Sequence, residues 1–207
     1  MVDTLSYHIS TSSYYAHNYL PHLKGVRVLF LLHVVDQTIK KLKAQTANIL
    51  TLSNLALGGF AIVEGLKGNL NLSLLLIFVA ALLDRFDGMV ARKLNIESEF
   101  GKQLDSMSDI ISFGVAPALL IYQGVLYEFG APATFFTILY IACGAIRLAR
   151  FNLSEANGYF TGLPITVAGC IATFSFLFIP YSPSHIYIFI MIILSFLMIS
   201  PFQVKKM

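Results

Sequence analysis

A succession of long apolar runs limits the folds open to this chain. From residue 48 onward six such stretches alternate with short polar joints: Asn48–Leu66, Leu70–Ala91, Leu104–Leu126, Ala131–Phe151, Leu163–Pro180 and His185–Phe202. Each is close to the roughly 20 residues that a helix needs to cross a bilayer's hydrocarbon. Inside lipid no water satisfies backbone N–H and C=O groups, so a helix is the default for every run. Composition agrees. The chain is 57% hydrophobic and 12% charged, with a mean hydropathy of +0.73, whereas a soluble domain carries about a quarter charged residues. The expected fold is an all-α integral membrane protein with six transmembrane helices.

Charge placement orients that bundle. With the N-terminus in the cytoplasm and the helices alternating, the cytoplasmic side receives all the lysines and arginines except Lys67. This is a strong positive-inside asymmetry. It sets the protein in the cell membrane, with the joint between the second and third helices facing the cytoplasm. Residues 1–45 read as a separate extension ahead of a six-helix domain over 46–207. Within it Val35, Ile39 and Leu42 share one helical face beside Lys40, Lys41 and Lys43, the pattern of an amphipathic helix lying on the membrane surface. A net charge of +3 calls for no particular partner beyond membrane lipids, and no nucleic acid is expected. Cys143 and Cys170 sit in apolar runs without metal-ligand spacing and read as small packing residues.

Against this apolar background the aspartates stand out. Of the six in the chain, Asp84, Asp87, Asp105 and Asp109 fall in one stretch, DRFDGMVARKLNIESEFGKQLDSMSD. Asp84 and Asp87 are three apart, and Asp105 and Asp109 four apart, so each pair shares a helix face. The two pairs lie on consecutive antiparallel helices and can converge. Four desolvated carboxylates repel one another and are tolerable only with cations among them. An all-oxygen donor set suits hard ions, Mg²⁺ or Mn²⁺, with Ca²⁺ as a further occupant. Four carboxylates suffice for two such ions, a device used in phosphoryl chemistry. Gly88, Ala91 and Gly101 keep the neighbourhood small, which lets helices approach closely and leaves room for a ligand. Arg92 can reach a phosphate bidentately.

These residues match D-x2-D-G-x2-A-R-x8-G-x3-D-x3-D at every fixed position: Asp84, Asp87, Gly88, Ala91, Arg92, Gly101, Asp105 and Asp109. The pattern resembles the signature of the CDP-alcohol phosphatidyltransferases, and the resemblance extends over roughly residues 45 to 200. It implies a reaction in which a CDP-linked lipid gives its phosphatidyl group to a small alcohol and CMP is released. It also implies that Asp84, Asp87 and Asp105 hold two divalent cations, that Asp109 touches a cation and serves as general base, and that Gly88, Arg92 and Ser98 contact the CDP portion. A homodimer is a further expectation from the family.

Three more segments are similar to the phosphatidylserine synthase branch: NILTLSN (Asn48–Asn54), RLARFN (Arg147–Asn152) and GLPITVAG (Gly162–Gly169), the last with Thr166 where a second proline is usual. They imply CDP-diacylglycerol as donor and L-serine as acceptor. Arg147 and Arg150, three apart at the end of a membrane helix, are costly there unless they meet an anion, either the serine carboxylate or a lipid phosphate. Asn152 belongs to the same group. Asn48, Thr51 and Asn54 can hydrogen-bond the nucleotide or phosphate. Glycerol 3-phosphate or an inositol phosphate would demand more basic side chains, which favours serine. A metal-dependent transporter is the reading from another class, but transport acids usually lie near the bilayer midplane and these lie at one face.

Overall fold

The computed structural model describes residues 33, 45, 48–94, 99–153, 159–201 and 203–205, and for 87, 90–94, 159–161 and 203–205 the backbone alone. The chain divides into two compact units, 1–43 and 44–207. In the first, only His33 is described, as an exposed helical residue. The expected amphipathic helix over Val35 to Lys43 lies outside the described residues.

The second unit is a helical bundle. Its helices are α1 (Asn48–Leu66), α2 (Leu70–Leu94), α3 (Glu99–Phe129), α4 (Ala131–Leu153), α5 (Ile165–Tyr181) and α6 (His185–Ile199). Among the described residues α1, α3 and α4 are long and apolar enough to cross a membrane, and α5 and α6 are shorter apolar helices. At about 1.5 Å per residue, the 15 residues of α6 fall short of the roughly 30 Å hydrocarbon. The 25 residues of α2 are long enough, but Asp84, Arg85 and Asp87 interrupt their apolar character. Large apolar side chains such as Phe60, Phe135 and Phe196 are exposed on the bundle's outside, as a lipid-facing surface requires. The protein is an integral membrane protein.

Local chemistry explains where the helices end. Gly68 at φ 85° and Gly130 at φ 64° close the α1–α2 and α3–α4 joints, since glycine enters the left-handed region without a Cβ penalty. α6 stops at Ile199 rather than running to Phe202, because Pro201 disfavours helical backbone at Ser200, which sits at φ −55°, ψ 140°. α5 tightens to a 3₁₀ turn over Phe176–Tyr181, with Pro180 inside it. α3 is helical from Glu99, ahead of its apolar run, through polar first turns. Among the described residues one feature is extended rather than helical: Tyr159–Thr161 pairs antiparallel with Gln203–Lys205, a ribbon too short for sequence periodicity to reveal.

The face of α1 that turns inward is a stripe of small and polar residues, Thr51, Asn54, Gly58, Ala61 and Gly65, all buried. It lets α3 come close. Ser108 Oγ donates to the Thr51 carbonyl at 3.2 Å and Ser112 Oγ to the Asn54 carbonyl at 3.1 Å. The main apolar core gathers Phe113, Tyr140, Ile165, Tyr187 and Met191, all essentially inaccessible. It lies beside the acidic part of α3 and holds that helix from α4, α5 and α6.

Candidate active site

The buried stripe of α2 runs Ser73, Ile77, Ala80 and continues one turn later to Asp84. On α3 the inward stripe carries Asp105, Ser108, Asp109 and Ser112. The two stripes face each other, and Asp84, Asp105 and Asp109 each offer a carboxylate oxygen within 4.8 Å of the others. Asn54 Nδ2 donates to Asp84 Oδ1 at 3.3 Å, which fixes the rotamer of that carboxylate from α1. Asn54 itself is fully buried. Asp109 is 8% exposed, and its Oδ1 is buried without a hydrogen-bond partner. Three carboxylates this close repel, and the innermost has an acceptor left over. A hard divalent cation is the occupant that this donor set fits. The cluster therefore could hold a divalent metal.

The acidic cluster opens into a cavity of about 1200 Å³. Arg147 on α4 forms part of the wall near the carboxylates, together with Lys102 and Asn152. Arg147 is buried, its guanidinium carbon lies 5.4 Å from the Phe151 ring centroid, and its Nε has no hydrogen-bond partner. Asn152 Nδ2 donates to Ser106 Oγ at 3.0 Å, which ties the end of α4 to the acidic turn of α3. Away from the charges the cavity is apolar and runs between α2 and α5, past Phe78, Val167, Ile171, Phe174 and Phe178.

Not all the residues expected from sequence meet at this site. Asp84, Asp105 and Asp109 come together, and Gly88 lines the same cavity. Gly101 lies one helical turn before Asp105 and is partly buried. The side chains of Asp87, Ala91 and Arg92, and the whole of Ser98, lie outside the described residues. Of Asn48, Thr51 and Asn54 on α1, Asn54 reaches the cluster directly, and Thr51 meets α3 through its carbonyl, which accepts from Ser108. The two arginines separate: Arg147 faces the cavity, whereas Arg150 is exposed and its Nη1 donates to the Ile199 carbonyl at 3.4 Å, at the end of α6. Lys102, Ser106, Thr166 and Cys170 also line the cavity, and no sequence motif pointed to them as site residues. For Lys102 a signal exists, since it lies three residues before Asp105 on one helix face.

Comparison with known proteins adds to this geometry. The model of the CDP-alcohol phosphatidyltransferase family matches residues 44–200. The CDP-diacylglycerol–serine O-phosphatidyltransferase of Bacillus subtilis is 40% identical over 134 residues, which cover 64% of this chain and 76% of the relative. The archaetidylserine synthase of Methanothermobacter thermautotrophicus is 40% identical over 163 residues, 77% of this chain and 69% of the relative. A CDP-diacylglycerol–serine O-phosphatidyltransferase of Helicobacter pylori is 35% identical over 162 residues, 74% and 68% of the two chains. With a family model spanning three quarters of its length and three convergent carboxylates from the family's signature, this chain belongs to the CDP-alcohol phosphatidyltransferase family.

Proposed function

We propose that this protein transfers the phosphatidyl group of CDP-diacylglycerol to the hydroxyl of L-serine, giving phosphatidylserine and CMP. The observation that carries the reading is the convergence of Asp84, Asp105 and Asp109 at the head of a cavity whose far part is apolar. Relatives named for a serine product in three organisms support the choice of acceptor.

Each residue then has a task. Asp84 and Asp105, with Asp87 and an oxygen of Asp109, hold two divalent cations, Mg²⁺ or Mn²⁺. Bound there, the cations neutralise the carboxylates and stabilise negative charge on the diphosphate as CMP departs. Asp109 accepts the serine hydroxyl proton while that oxygen bonds to the phosphatidyl phosphorus. A serine hydroxyl, which stays protonated far above neutral pH, is a poor nucleophile without such a base. Gly88, Gly101, Arg92 and Ser98 receive the CDP portion, with Asn48 and Thr51 at its edge and Asn54 steadying Asp84. Arg147 takes the acceptor's carboxylate, beside Asn152, and Arg150 braces the end of α4. The apolar arm between α2 and α5 takes donor hydrocarbon.

The wider setting is part of the same reading. Six helices lie in the cell membrane, α6 crossing only part of its thickness, with residues 1–45 as an interfacial extension ahead of the catalytic domain 46–207. The site opens to the cytoplasm and the protein acts as a homodimer. An acceptor panel tests the reaction: purified protein in detergent, CDP-diacylglycerol and Mn²⁺, with CMP release followed for L-serine, glycerol 3-phosphate and inositol phosphate. Release with serine alone is the expected result. Release with glycerol 3-phosphate but not serine would retain the family and refute the acceptor.

A further inference from the structure

The turn after Asp109 is not α-helical. Over Ile110–Val115 the helix α3 widens, and the Ala116 N–H donates to the Ile111 carbonyl five residues back instead of four. Such wide turns are rare, and inside helices they cluster at functional sites. The cause lies downstream. Pro117 has no N–H, and its ring clashes with the carbonyl four residues before it, which is that of Phe113. An uninterrupted α-helix would pair the Phe113 carbonyl with the N–H of residue 117, which is missing here. The buried carbonyl takes a donor from another helix: Tyr140 Oη on α4 donates to it at 3.1 Å. Tyr140 is fully buried and among the largest side chains in the core.

Two further helices hold the same turn. Gly169 on α5 packs so tightly that a Cβ there would lie 2.6 Å from the Phe113 oxygen and 2.8 Å from its Cα. Ser112, inside the turn, donates to the Asn54 carbonyl on α1, and Asn54 in turn binds Asp84. The wide turn thus sits between the acidic and apolar halves of α3. One additional residue in a turn rotates the acidic half against the apolar half by about 100°. That rotation lets Asp105 and Asp109 face α2 while Ala116, Leu120 and Ile121 stay buried in the core.

We propose that Tyr140 is a positioning residue for Asp109: it caps the carbonyl that Pro117 deprives of a helical partner, and so fixes the wide turn on which the base is mounted. The inference rests on the proposed role of Asp109, but its structural half can be tested without it. The variants are Tyr140→Phe, Pro117→Ala and the pair together, each read by thermal unfolding in detergent, by Mn²⁺ binding followed by electron paramagnetic resonance, and by the kcat and KM of CMP release.

Tyr140→Phe keeps the ring and removes the donor. It should lower the unfolding midpoint in the native background but not in the Pro117→Ala background, where residue 117 supplies an N–H again. It should also lower kcat about ten- to a hundredfold with donor KM unchanged, the scale of an ångström-sized misplacement of a reacting group. Pro117→Ala should lose kcat and weaken Mn²⁺ binding without losing thermal stability. An equal drop in midpoint in both backgrounds, or full kcat in Tyr140→Phe, would overturn the proposal. Tyr140→Phe is close to isosteric and decides the catalytic half even if Pro117→Ala does not fold. A coupled unfolding cycle in a protein that releases no CMP would refute the proposed reaction and uphold the proline–tyrosine pairing.

Discussion

Replacing Arg147 by glutamine removes a buried guanidinium from the wall of the cavity while retaining a polar side chain of similar reach. The structure sets the size of the effect. Arg147 is buried, its Nε has no hydrogen-bond partner, and the described ion pairs do not include it. If it meets the acceptor's carboxylate, the lost interaction is one charged hydrogen bond, about 1.5–3 kcal/mol. At about 1.4 kcal/mol per factor of ten, kcat/KM for L-serine should fall roughly 10- to 150-fold. Ethanolamine is serine without the carboxylate. Its reaction should be slower than that of serine and should not slow further in the variant, because it makes no use of the guanidinium. The assay is CMP release at saturating Mn²⁺, with each acceptor and CDP-diacylglycerol varied in turn. An equal fall for both acceptors would rule out a contact between Arg147 and the acceptor's carboxylate, since it would make Arg147 a contact to the donor or a structural residue. A rise in the KM of CDP-diacylglycerol with serine KM unchanged would do the same.

Two other outcomes are set by the packing. Gly58→Ala should destabilise the protein by about 1–3 kcal/mol, because its Cβ would lie 2.9 Å from the Ser112 Cα with the Ser112 Oγ in the way, whereas Gly59→Ala next to it meets nothing within 4 Å; thermal unfolding of the two variants side by side checks this. Asn54→Leu removes the hydrogen bond that orients Asp84 and should raise the Mn²⁺ concentration needed for half-maximal CMP release about 10- to 100-fold, the usual cost of losing a partner that orients a metal ligand.

Much of the architecture is legible from local pattern. The joint Lys67-Gly68-Asn69 punctuates two apolar runs so clearly that α1 ends where the hydropathy does. The i, i+3 and i, i+4 spacing of the aspartates requires shared faces, and antiparallel neighbours do the rest for Asp84, Asp105 and Asp109. The hidden features depend on partners distant in the chain. Arg147 and Arg150 are equivalent by spacing, and only the end of α6, with its open Ile199 carbonyl, separates them. Pro117 signals a break in α3, but its form as a wide turn needs Tyr140 and Gly169 from other helices. The Asn152–Ser106 pair spans 46 residues, and the ribbon of Tyr159–Thr161 with Gln203–Lys205 joins two segments of three residues each. None of these leaves a periodicity to read.

In the proposed reaction a serine hydroxyl attacks the phosphatidyl phosphorus at the carboxylate cluster. The most direct test supplies L-serine carrying ¹⁸O in its hydroxyl to purified protein with CDP-diacylglycerol and Mn²⁺, and follows the lipid product and CMP by mass spectrometry. Attack by the serine oxygen should give equal amounts of phosphatidylserine and CMP, with the label entirely in the lipid, and neither product from Asp109→Asn. CMP formed without labelled phosphatidylserine, or undiminished product from Asp109→Asn, would contradict it.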